Sequence, residues 1–151
     1  MSEATIRAAI YAAVNGVTDV GKVYDYERHA TEWSDFLNLF KTNISSTDQV
    51  RGWMIGYRGI PESDGGRFSG RGRTSRTHRF QILGIMGLDD SAESEKTFAA
   101  IAEDVCDALD SDATLGAFLG LAPATLGFDP SPFAGVLVHA AAITFEVTEA
   151  I

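Results

Sequence analysis

The sequence predicts an α+β fold: a mixed or antiparallel sheet of about four strands, carrying a long basic hairpin loop and flanked by amphipathic helices. Three patterns lead there. Residues 51–58 and 77–86 alternate with the period of two that marks a strand, and the stretch between them is rich in Gly, Ser and Arg. Residues 98–109 instead repeat their apolar positions at helical spacing.

The first element is a helix from about Thr5 to Val14, where Ile6, Ile10, Ala13 and Val17 form one stripe and Gly16 stands near the end. Val23, Tyr24, Asp25 and Tyr26 alternate too briefly to separate a short strand from an ordered loop around residues 23–28. Trp33, Phe36, Leu37 and Phe40 return to helical spacing, so a short aromatic-faced helix is expected there, with Thr31 as its N-cap. From Arg51 the period changes: Trp53, Ile55 and Tyr57 share one face of a strand, Met54, Gly56 and Arg58 the other. A second strand begins near Thr77, with Phe80 and Ile82 on one side and Gln81 and Leu83 on the other, and continues through Ile85 and Met86. The two are expected to pair as an antiparallel hairpin.

Their connection, Pro61 to Arg76, is too long for a tight turn. Compact domains rarely keep a structureless loop beyond about 12–15 residues unless it binds something. Gly, Ser and Arg bury too little apolar surface to offset the entropy of fixing the chain, so Glu62 to Ser75 is expected to be mobile in a free subunit.

After Asp89-Asp90-Ser91 the helical pattern is strong. Phe98, Ile101, Ala102, Val105 and Leu109 form one face, Glu103, Asp104, Asp107 and Asp110 the opposite one, and Glu93 and Glu95 fall in the first turn, where the helix dipole favours carboxylates. Thr114 to Pro132 is apolar but interrupted by Gly116, Gly120, Pro123, Gly127 and Pro130, and reads as short turns over the core. Val136 to Thr148 ends in clean alternation, with Ile143, Phe145 and Val147 opposing Thr144, Glu146 and Thr148; this C-terminal strand completes the sheet. No internal repeat or linker divides residues 1–151, so a single domain is expected.

With 45% hydrophobic residues and a formal net charge of −9, the composition is that of a folded acidic protein. The charge is unevenly placed. Residues 1–50 hold four basic and seven acidic side chains, giving −3; residues 51–79 hold seven Arg against Glu62 and Asp64, giving +5; residues 80–151 hold Lys96 against twelve carboxylates, giving −11. A basic segment inside an acidic body bears on partners rather than on fold.

Cys106 is the single cysteine, no Cys/His pair stands at zinc-ligand spacing, and the first residues carry no basic region of the secretory type. No apolar run approaches the roughly 18–20 residues of a membrane span. A reducing cytoplasmic setting without a membrane partner is expected, which leaves the glycosylation match Asn43-Ile44-Ser45 as chance.

The loop Gly65-Gly66-Arg67-Phe68-Ser69-Gly70-Arg71-Gly72-Arg73-Thr74-Ser75-Arg76 admits several readings. A P-loop fails on chemistry, because Arg71-Gly72 replaces the Lys and Ser/Thr that hold phosphate and magnesium. Nucleic-acid binding would use guanidinium groups on phosphates and Phe68 on a base, against repulsion from the acidic remainder. The third reading is an arm that orders on assembly, its arginines meeting carboxylates of a neighbouring copy; the bland alternative is a solvated loop.

His29, His78 and His139 are far apart, and His139, among small apolar residues, reads as a satisfied sheet residue rather than a ligand. Cys106 falls on or beside the buried side of its helix and reads as an inert thiol. No nucleophile elbow precedes a helix. The pattern therefore offers no catalytic, cofactor-binding or metal-ligating residue.

The order of features carries a resemblance: an N-terminal helix ("IRAAIYAAV"), an aromatic segment ("VYDYERHATEW"), a hairpin with an oversized basic loop ("RGWMIGYRGI" and "THRFQILGIMGL"), an amphipathic helix ("FAAIAEDVCDAL") and a C-terminal strand ("ITFEVTEAI"). Nearly the whole chain resembles the tail terminator, or tail completion, proteins of long-tailed bacteriophages, whose neck and head-closure relatives share the size and hairpin-loop design. The resemblance implies a virion structural protein, made in the host cytoplasm, that forms a hexameric ring, caps the tail tube, ends its polymerisation and joins it to the head. Its partners would be copies of itself, the tail tube protein and the head-completion or connector protein, with DNA passing through the ring lumen. The family has no catalytic residues to carry over. The expected contacts are sheet edges and the segment of Arg67, Phe68, Arg71, Arg73, Arg76 and Arg79. A nucleic-acid-binding module using the same arginines is the alternative from another class.

Overall fold

The computed structural model describes residues 2–59, 75–112, 123–133 and 135–150. Helix α1 (Glu3–Asn15) starts where the Ser2 hydroxyl accepts the Thr5 N–H, and buries Ile6, Ile10 and Val14. Residues 23–28 resolve to a strand at their start: β1 (Lys22–Tyr24) runs parallel to β3 (Thr47–Tyr57), with Val23 opposite Trp53. Gly21 makes this entry possible. Its φ is +90°, and a Cβ there would stand 2.5 Å from the Arg51 carbonyl oxygen.

Helix α2 (Trp33–Leu39) is in place, but its N-cap is Glu32, which makes no side-chain capping bond, rather than Thr31. Thr31 lies one residue too early, because the backbone is still extended at Glu32 (φ −101°, ψ 137°). Packing holds this short helix: Phe36 and Tyr24 both meet the Phe40 ring edge-on, at 5.8 and 5.7 Å.

Strand β2 (Lys41–Ile44) was not expected. It pairs antiparallel with the start of β3, Ile44 opposite Thr47, through Ser45 and Ser46, whose φ values are +52° and +64°. Two left-handed residues make a tight hairpin turn, which usually announces itself as Asn-Gly; Ser-Ser does not.

β3 pairs antiparallel with β4 (Ser75–Gly87), as expected, and β4 pairs antiparallel with β6 (Val136–Ala150) from Ser75 opposite Ala150 to Gly87 opposite Val138. Residues 124–132, expected as turns, fall in strand β5 (Ala124–Phe133), paired with β6. The six-stranded sheet runs β1-β3-β4-β6-β5 with β2 added on β3, so β5 is an edge. That position reconciles it with its prolines. Pro130 and Pro132 are two apart and direct both ring nitrogens the same way, away from β6, so the ladder loses no donor. A register shift between Leu126 and Phe128 absorbs Gly127. The start of the expected turn region, residues 114–122, lies outside the described residues.

A 3-10 turn (Asp90–Ala92), capped by the Asp89 carboxylate, leads into α3 (Ser94–Ser111). Glu93, expected in the first turn, is instead the residue before it, in a left-handed conformation with φ +52°. α1 and α3 cover one sheet face. Trp53, Ile55, Phe80, Ile82, Ile143, Phe145 and Val147 pack there against the buried stripes of both helices. Trp53 donates its indole N–H to the Val20 carbonyl at 3.1 Å and stacks on Phe98 at 5.7 Å. Gly84 lies under that indole, where a Cβ would come within 2.3 Å of the ring. The far face carries a smaller cluster, Phe40, Met54, Ile85 and Val138, with Phe36 and Leu39 of α2 against it. Among the described residues no helix is long and apolar enough to cross a membrane.

Candidate assembly surface

Residues 60–74 join the end of β3 to the start of β4, and a buried polar chain stands at that end of the sheet. The Tyr57 hydroxyl lies 3.0 Å from His78 Nδ1, and His78 Nε2 lies 2.8 Å from Glu149 Oε1. His78 is 2% and Glu149 1% exposed, so these hydrogen bonds replace lost water and tie β3, β4 and β6 together. The imidazole beside it holds the Glu149 carboxyl below the usual carboxylate range. Sequence reasoning missed this chain. One signal was present: Glu149 continues the buried phase of Ile143, Phe145 and Val147.

Of the arginine segment, Arg67, Phe68, Arg71 and Arg73 lie outside the described residues, as does nearly all of the span expected to be mobile. Arg76 and Arg79 belong to β4 itself, which starts two residues before the strand expected from Thr77 and so takes in Arg76. Three residues apart in a strand, they face opposite sides. Arg76 lies on the helix side, its Nη1 3.8 Å from Glu149 Oε1. Arg79 lies on the far side, donating from Nε and Nη2 to Glu146 Oε1 at 3.0 and 2.7 Å. Each carboxylate sits directly across the ladder from its arginine. The far face near the loop is thus a lattice of internal pairs, continued by Arg58, which bonds Gln81 and Glu27, and by Thr77 with Thr148.

The outer face of α3 differs. Glu103, Asp104, Asp107 and Asp110 are exposed, and among the described residues none of the four is ion-paired. Cys106 is half-buried beside this face, against the main core. At the opposite end of the sheet from the loop, His139 is satisfied as expected: Ser94 Oγ lies 2.8 Å from its Nε2, and its ring stacks on Phe98 at 6.0 Å. Among the described residues no group of three or more His, Cys, Asp or Glu side chains is placed to hold a metal ion.

The one strongly basic segment leaves from the Tyr57/Ser75 end of the sheet, while carboxylates line α3 and the turn before it. Comparison of the sequence with family models and with curated proteins finds no match.

Proposed function

We propose that the chain is a structural subunit that assembles head to tail with copies of itself into a ring, in the manner of a phage tail terminator that caps a tail tube and joins it to a head. The observation that carries this reading is the carboxylates of α3 and of the turn before it, Asp90 and Glu95 included, that have no ion-pair partner among the described residues, on a chain whose basic segment is attached at the far end of the sheet. Complementary surfaces at different places on one chain make a heterologous contact, and such contacts close into rings when the rotation allows. Sheet continuation through β5 is disfavoured as the means, because Pro130 and Pro132 leave its outer edge without two of its N–H donors. Side chains would make the contact.

Mass photometry of the purified chain over a range of salt concentrations tests this. Rings of uniform stoichiometry that loosen as salt rises are expected. A strict monomer at every concentration, with tight salt-sensitive binding to DNA, would favour the nucleic-acid-binding alternative instead.

A further inference from the structure

β5 and β6 extend past the cover of α3, and their helix-side positions there are apolar apart from His139. Phe128, Pro130 and Pro132 stand opposite Ala141, His139 and Leu137 and so share the face on which Phe128 meets Phe98, edge-on at 5.7 Å. Phe128 is 38% and Leu137 50% exposed, and both prolines are exposed. The strip runs into a groove of about 380 Å³ whose apolar lining is Leu88 and Pro130, beside His139, with Asp90, Glu93, Glu95 and the single cation Lys96 around it. Glu93 is occupied by Lys96 at 2.9 Å; Asp90 and Glu95 have no ion-pair partner among the described residues. An apolar strip with a carboxylate rim asks for an apolar side chain flanked by cations.

The chain carries that combination in Phe68, between Arg67 and Arg71. It cannot deliver it to its own groove. Phe68 precedes Ser75 by seven residues, a reach of at most about 25 Å even fully extended. The groove lies level with Met86, which pairs with His139, and Met86 is eleven residues along β4 from Ser75, about 36 Å. The two further strands to Pro130 add to that distance.

We propose that the groove at Leu88, Pro130 and His139 receives Phe68 of a neighbouring copy, with Arg67 and Arg71 of that copy set against Asp90 and Glu95. This deepens, and rests on, the head-to-tail assembly proposed above. It also gives the contact its direction, because the donor segment is attached at the end of the sheet opposite the acceptor groove.

The test is a peptide of residues 64–74 titrated into the full chain carrying Phe68→Ser, which leaves the groove free. Saturable binding is expected, weakened about tenfold or more by Leu137→Asp, by Asp90→Lys with Glu95→Lys, or by the Phe68→Ser change in the peptide. Glu103→Lys with Asp107→Lys on the outer face of α3 should leave it unchanged. Leu137 is half exposed, so its variant folds, which far-ultraviolet circular dichroism verifies. Absence of binding, or binding lost only with the α3 reversals, overturns the proposal. So does ring formation by the Phe68→Ser chain at wild-type concentration, which would leave the ring standing with another contact. Groove-dependent peptide binding by a chain that never forms rings would uphold the groove and refute the ring.

Discussion

Removing the Glu149 carboxylate should unfasten the end of the sheet from which the basic segment leaves. In Glu149→Ala, His78 keeps its Tyr57 bond at 3.0 Å but loses the 2.8 Å bond to Glu149, and its Nε2 is left in a site only 2% exposed. An orphaned buried polar group costs about 1–3 kcal/mol, and breaking a buried ion pair about 3–5 kcal/mol. One hydrogen bond is lost while the Tyr57 bond stays, so the lower range governs, and about 2–3 kcal/mol is expected. For a domain of this size about 1 kcal/mol corresponds to about 2–4 °C, so Tm should fall by about 4–12 °C. Glu149→Gln keeps an acceptor at the same place and should lose about half as much. Differential scanning calorimetry with urea titration of the three proteins reads both. A Glu149→Ala chain within about 0.5 kcal/mol of wild type would refute the claim that this chain of bonds fastens β3, β4 and β6.

The same group sets an acid limb. The His78 bond depresses the folded-state pKa of Glu149, so its stabilisation is fully present above the ordinary carboxylate pKa, about 4.3, and is lost as pH falls through the lower folded value; denaturant midpoints followed downward from pH 5 should drop less steeply in Glu149→Gln. Gly84→Ala pushes a methyl into the Trp53 indole, 2.3 Å away, and should cost about 1–3 kcal/mol with a blue-shifted or broadened tryptophan emission. Arg79→Ala removes an ion pair whose arginine side chain is 47% exposed and should cost no more than about 1 kcal/mol by the same urea titration. Arg71→Ala with Arg73→Ala should leave Tm nearly unchanged and weaken assembly in mass photometry, separating folding from function.

Strong periodicity was legible and weak periodicity was not. The hairpin of β3 and β4, the C-terminal strand and the buried stripe of α3 stand where alternation and helical spacing put them, because each runs long enough to bury one face. β2 escaped because its turn is Ser45-Ser46, whose positive φ values ordinary side chains seldom supply. β5 escaped because Pro130 and Pro132 look like breakers until the strand is known to be an edge. The polar chain of Tyr57, His78 and Glu149 joins residues from three strands, and the hydrogen-bonded His78 and Glu149 are 71 residues apart, so spacing along the sequence could not pair them. The groove at Pro130 and His139 was invisible for the same reason. Arg76 and Arg79 were seen as basic, but nothing in their spacing showed that their ladder partners across β6 are carboxylates.

Head-to-tail assembly is tested most directly by mixing two defective chains. Phe68→Ser spoils the donor segment and keeps the groove; Leu137→Asp spoils the groove and keeps the donor segment. Each alone should be monomeric in mass photometry. Mixed in equal amounts, they should form one-to-one dimers and nothing larger, because the single sound contact leaves a spoiled donor at one end and a spoiled groove at the other. Full-size assemblies from either variant alone, or a mixture that stays monomeric while wild-type chain forms rings, would contradict the account.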